Sequence, residues 1–190
     1  MSDCCRVESP EHQRRLLVYA RETAEKALGV AVEPMCQKPD IPGRFGGAFV
    51  TFWSGKTLRG CVGTFSVTTD IASTVAEMTR ASLEDSRFAA NPVTARELKH
   101  VEIEVSVLSD PEPTDEPAAL VPGTHGIIVR QGVRSGCFLP KVASERGWSA
   151  EAFLSKCCTM KAGLPADAWR MPDAEVLLFT AQVISESQFS

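Results

Sequence analysis

Within the stretch from Leu98 to Leu108 the chain alternates strictly from Val101 to Val107. Val101, Ile103, Val105 and Val107 fall on one side, with Glu102, Glu104 and Ser106 between them. Successive side chains of a strand point to opposite faces, so the stretch predicts a strand with one wet face. Half-covered strands belong to antiparallel sheets, whereas the strands of a doubly wound parallel sheet read as unbroken apolar runs. The other strand-like stretches mix with helices without regular alternation, and several are joined by short turns. The expected fold class is therefore α+β, with a largely antiparallel sheet packed against helices.

Punctuation along the chain fixes the remaining elements. Ser9-Pro10-Glu11 supplies a cap, a first-turn proline and an acidic residue at the positive end of a helix. Leu16, Leu17, Ala20, Ala24, Ala27 and Leu28 recur at helical spacing before Gly29. Residues 33–47 are rich in proline and glycine and read as a loop. Ala48 to Trp53 and Thr57 to Val62 read as a hairpin around Ser54-Gly55-Lys56. With Ser54-Gly55 as the turn, Ala48 pairs with Cys61 and Val50 with Arg59. The Cys61 face then also carries Ala48, Val50 and Phe52.

Thr68-Thr69-Asp70 caps a second helix that stops near Ser86. Asp110 to Pro117 reads as a connecting loop, followed by a hairpin from Gly126 to Leu139. A short helix from Lys141 to Arg146 and another from Ser149 to about Thr159 come next, and Val176 to Ile184 reads as one last buried strand.

The 190 residues suit one domain, or one domain with a small appended lobe. A formal net charge of -4 gives no basic footprint for nucleic acid or an anionic membrane surface. No run of about 18 apolar residues suggests a membrane span. Met1 to Arg6 has no apolar core, so no signal peptide is expected. Seven cysteines, with Cys4-Cys5 and Cys157-Cys158 adjacent and no Cys-x-x-Cys, fit neither a disulfide framework nor a zinc site. A reducing cytoplasm is the expected compartment. No phosphate loop, dinucleotide fingerprint, nucleophile elbow or His-Glu-x-x-His motif occurs, and no cofactor or metal is assigned.

What stands out is Leu58-Arg59-Gly60-Cys61-Val62-Gly63. On a regular strand Arg59, Cys61 and Gly63 share a face, and a guanidinium near a thiol favours the thiolate. The two glycines mark a close backbone approach or a bulge. A buried core cysteine is the competing reading of the same residues. His125, at the mouth of a strand, is the candidate base for Cys61, or a loop histidine satisfied by backbone. Arg87, in Glu84-Asp85-Ser86-Arg87-Phe88, is a candidate ligand contact or half of a capping salt bridge. Trp148 lines a pocket or packs in the core.

These residues carry a likeness. The hexapeptide resembles the Leu-Arg-Gly-Cys-Ile-Gly signature of the AMMECR domain family, with Val62 in place of isoleucine. Gly47 to Thr51, Asp85 to Phe88, Val101 to Leu108, His125-Gly126-Ile127, Phe138-Leu139-Pro140 and Lys161 to Pro165 with Trp169 look like that family in the same order. The family's Asp-Pro-Arg-Phe reads Asp85-Ser86-Arg87-Phe88 here. The resemblance implies one AMMECR-like domain over residues 10–185, with a larger and a smaller lobe, and residues 1–9 and 186–190 as flexible termini. It singles out Arg59 and Cys61 as functional without assigning how they act; from the residues themselves, Cys61, Arg59 and His125 are the candidates for catalysis and Gly60, Gly63, Arg87 and Trp148 for ligand binding. Bacterial and archaeal members carry the designation protein A of the AmmeMemoRadiSam system, which implies a Memo-like protein and a radical SAM protein as partners and redox or modification chemistry nearby. Two functions stay open: an enzyme component using the Cys61 thiol, and a non-catalytic module that docks such a partner.

Overall fold

The computed structural model describes residues 6–30, 36–67 and 69–189. Cys4-Cys5, Pro34 and Thr68 of the cap cluster lie outside the described residues. The elements run α1 (Pro10–Ala27), β1 (Gly47–Ser54), β2 (Thr57–Thr64), α2 (Ile71–Leu83), β3 (Glu102–Leu108) and β4 (Glu112–Pro113). They continue with β5 (Gly126–Gln131), β6 (Arg134–Phe138), α3 (Pro140–Arg146), α4 (Ala150–Cys157), β7 (Ala174–Phe179) and β8 (Ala181–Ser185). The fold is α+β. It divides into a larger unit, the residues up to Leu108 together with those from Gln182 on, and a smaller unit from Ser109 to Ala181.

The larger unit holds a four-stranded sheet in the order β2-β1-β3-β8. β1 runs antiparallel to both β2 and β3. Ala48, Val50 and Phe52 of β1 and Ile103, Val105 and Val107 of β3 are buried on one face, in a core that α1 and α2 complete. α1 forms where the sequence places it. The Ser9 hydroxyl accepts the His12 N–H, Pro10 occupies the first turn, and Leu16, Leu17, Ala20 and Ala24 make one buried stripe. α2 starts at Asp70, whose carboxylate accepts the Ser73 N–H at 2.8 Å. Val7 is buried in this core, and its N–H donates to Gln182 Oε1 at 2.7 Å. Glu186 opens a 3-10 turn and accepts from Arg21 Nε and the Ile103 N–H, each at 2.8 Å. These parts of the two expected loose ends are thus packed.

The smaller unit has its own sheet, β4-β7-β5-β6, and its own core, in which Phe138 stacks on Phe153 at 5.5 Å. The loop expected at 110–117 contains β4. Its Pro113 is tolerated because the strand lies at the sheet edge. The single strand expected at 176–184 is two, β7 and β8, broken at Thr180. There the backbone leaves its ladder to bond Ser109: the Thr180 N–H donates to Ser109 Oγ at 2.9 Å, and the Ser109 N–H donates to the Thr180 carbonyl at 3.0 Å. β3 starts at Glu102, after a 3-10 turn over Leu98–His100.

Candidate functional site

The β1–β2 hairpin turns one residue later than expected. Ser54 faces Thr57 across Gly55-Lys56, and Gly55 takes φ +58. Trp53 then faces Leu58, but Phe52 faces Gly60, so Arg59 is an extra residue with no partner on β1. Such a bulge flips everything beyond it to the other face. Without it Cys61 would lie opposite Val50 and point into the core. With it Cys61 lies opposite Thr51, on the face of the sheet away from the core. The expected face-sharing of Cys61 with Ala48, Val50, Phe52 and Arg59 is therefore corrected. The thiol's companions are Phe49, Thr51 and Trp53, and across β1 the next neighbour of Thr51 is Glu104.

Cys61 is half-buried, and its sulfur accepts from the Thr51 hydroxyl at 3.3 Å. Its peptide groups are clamped. The Cys61 N–H donates to Asp85 Oδ2 at 3.0 Å, and Arg87 Nη2 donates to the Cys61 carbonyl at 2.7 Å. β2 is an edge strand, so these outward groups have no neighbouring strand to pair with. Asp85 also accepts from the Arg87 N–H at 3.1 Å, Arg87 Nε at 3.0 Å and Arg87 Nη2 at 2.5 Å. The Arg87 hydrogen bonds hold the buried Asp85 carboxyl down at about 2, against the upward push of burial. In return the hydrogen bond to Asp85 pushes the Arg87 guanidinium up, with a smaller electrostatic contribution from Cys61. Asp85 and Arg87 do form a cap at the 3-10 turn Ser86–Phe88, and that same cap holds Cys61 in place.

Arg59 is engaged elsewhere. Nη1 pairs with Glu97, and Nη2 donates to the carbonyls of Asn91 at 3.2 Å and Pro92 at 3.4 Å. The arginine therefore fastens the 91–97 segment to β2. The space beside each glycine is filled by the chain itself. A Cβ on Gly60 would sit 2.2 Å from the Ser82 carbonyl oxygen, and one on Gly63 would sit 2.1 Å from the Phe49 ring. Gly60 lets the end of α2 touch β2. There Ser82 Oγ accepts the Val62 N–H at 2.9 Å and donates to the Val50 carbonyl at 2.8 Å.

His125 and Trp148 belong to the smaller unit. Nδ1 of His125 accepts the Val121 N–H at 2.9 Å, so the lone pair that a neutral imidazole offers as a base is occupied. Trp148 packs beside Phe138 at 5.8 Å with Arg146 over its ring at 5.6 Å. Cys36, Cys61, Cys157 and Cys158 are free thiols. Burial pushes Cys36 up to about 11 and Cys157 up to about 12, and it raises Cys158 as well. Among the described residues no group of three or more His, Cys, Asp and Glu side chains is placed to hold a metal, and no helix is long and apolar enough to cross a membrane. Sequence reasoning missed Thr51 and Ser82. Neither is unusual in the sequence, and each gains its role only from the strand register or the docking of α2.

A model of the AMMECR1 family matches residues 17–184. The chain belongs to the AMMECR1 family. Relatives cover it almost end to end. A protein of Thermococcus gammatolerans is 37% identical over 184 residues, spanning 90% of this chain and 88% of its own. One from Thermofilum pendens is 37% identical over 198 residues, spanning 94% and 92%. The crystal structure of an uncharacterized protein from Pyrococcus horikoshii superposes with a TM-score of 0.80 at 33% identity, covering 92% of this chain and 91% of that one. The α+β fold expected from the pattern of strands and helices is thus the fold of this AMMECR1 chain.

Proposed function

We propose that residues 10–185 act as one AMMECR1 domain, an enzyme component in which Cys61 is the reactive thiol, serving a modification or redox system that includes a Memo-like protein and a radical SAM protein. The observation that carries this reading is the bulge at Arg59, which turns Cys61 away from the core and onto a hydroxyl donor. A core cysteine needs neither. The Asp85–Arg87 clamp supports the same reading, because it fixes the Cys61 peptide on both sides. In this reading a substrate meets Cys61 in a cleft beside β2, Gly60 and Gly63 shape the strand, and Arg59 secures the segment next to it. The partners come from the family likeness, and the cytoplasmic setting from the cysteine pattern.

The test compares metabolites and modified peptides in cells that carry the chain, lack it, or carry Cys61→Ser. The reading expects the serine variant to reproduce the deletion. Full restoration by a folded serine variant would remove the thiol from the function. A second reading, a docking module without chemistry, is favoured by one observation: among the described residues the sulfur's hydrogen-bond partner is a hydroxyl and not a base. It expects co-purification with the Memo-like or radical SAM partner that survives Cys61→Ser and is lost when the β2 surface is altered.

A further inference from the structure

One edge of the Arg87 guanidinium is unassigned. Arginine carries five N–H donors. Nε and Nη2 donate to Asp85, and Nη2 donates again to the Cys61 carbonyl. The N–H groups on Nη1 make no hydrogen bond among the described residues, and the side chain is 55% exposed. The group is nevertheless fixed, side-on by Asp85, end-on by the Cys61 carbonyl, and against the Phe88 ring at 5.5 Å. A donor edge already held in place loses little freedom when it binds. Asp85 does not compete for a ligand. Its two oxygens already accept four N–H groups, which fills a carboxylate's capacity. Nη1 and Nη2 share one carbon, so the open edge lies one guanidinium width from the Cys61 peptide. Arg59, the other arginine of the site, already has Glu97.

We propose that the Nη1 edge of Arg87 holds an oxyanion, a carboxylate or a phosphate, of the molecule that meets Cys61, so the substrate class is a small anionic electrophile. The proposal rests on the reading of Cys61 as a reactive thiol. Nη1 keeps two N–H donors, which can make charge-assisted hydrogen bonds to either oxyanion. On this proposal the anionic group and the electrophilic centre of the substrate are spaced to bridge Arg87 and the sulfur.

Iodoacetate and iodoacetamide test it. Each forms a sulfur–carbon bond as the carbon–iodine bond breaks, iodide leaves, and the thiol proton passes to buffer; they differ only in charge. Rates at Cys61 are read from its peptide by mass spectrometry in the full chain, and the iodoacetate-to-iodoacetamide ratio is compared with that of free cysteine. The ratio cancels any change in the thiol itself. The proposal expects a ratio about tenfold above that of free cysteine, the size of one charge-assisted hydrogen bond. It also expects competition against iodoacetate by acetate or by inorganic phosphate, whichever matches the natural group. Arg87→Gln brings the ratio down to that of free cysteine. Should that variant unfold because Asp85 has lost its cation, the double variant Asp85→Asn, Arg87→Gln replaces it, and the competition in the unmodified protein stands without any variant. A ratio equal to that of free cysteine, indifferent to acetate and phosphate, overturns the anion site and leaves the thiol reading intact. No reaction with either reagent overturns both.

Discussion

The Thr51 hydroxyl can be removed with almost no change of shape, because valine occupies the same space. Thr51→Val should slow alkylation of Cys61 about three- to tenfold, the worth of one ordinary hydrogen bond. Peptide-resolved alkylation of the two proteins checks this, and equal rates would mean that the hydroxyl is not part of the site. Asp85 carries the acid sensitivity of the same region. Its folded pKa, about 2, lies below the ordinary carboxylate value near 3.9. A depressed carboxylate contributes stability above the unfolded pKa and loses it as the pH falls through the folded one. The contribution, about 2–3 kcal/mol, is therefore complete above about pH 5 and disappears toward pH 2. Urea unfolding across that range should show a shallower acid loss for Asp85→Asn than for the unmodified chain. Asp70 and Glu97, whose pKa values are also lowered, keep part of the slope in the variant.

At the scale of elements, the edge strand β2 depends on the end of α2. Gly60→Ala drives a methyl group against the Ser82 carbonyl, which is backbone and has little room to move. We expect a loss of about 1–3 kcal/mol or more in chemical denaturation. Ser86→Pro should act in the opposite sense. Position 86 opens a 3-10 turn, Asp85 before it is extended at φ -58 and ψ 113, and among the described residues the Ser86 N–H makes no hydrogen bond that proline would remove. A gain of about 0.4–1 kcal/mol, read as a raised melting temperature, is the expectation. Apart from β4 and the break between β7 and β8, the strands, helices and both hairpins were legible in the sequence because alternation, caps and glycine turns are local signals. The face of Cys61 was not. It follows from one inserted residue, Arg59, and sequence alternation is blind to a bulge until the partner strand is known. The place of Arg59 was hidden for the same reason. The bulge leaves Arg59 to pair with Glu97, while a 3-10 turn 24 positions after Cys61 brings Asp85 to its peptide.

At the scale of the whole molecule, the chain leaves the larger unit after Leu108 and re-enters it at Gln182. The returning segment supplies β8, the Gln182 side chain that bonds Val7, and the Glu186 carboxylate that bonds Arg21 and Ile103. Ending the chain at Ala181 should therefore accelerate amide hydrogen exchange in β1, β2 and β3 while β5, β6 and β7 keep their protection. Uniform loss across both sheets would show that the two units stabilise one another more than their separate cores suggest. Functionally, everything proposed for this AMMECR1 chain passes through one sulfur. The most direct measurement is the rate at which iodoacetamide alkylates Cys61 in the intact protein at neutral pH, resolved peptide by peptide. The account predicts a rate at least equal to that of free cysteine and well above those of Cys36, Cys157 and Cys158, whose thiols burial holds protonated. A Cys61 as slow as those three would contradict it.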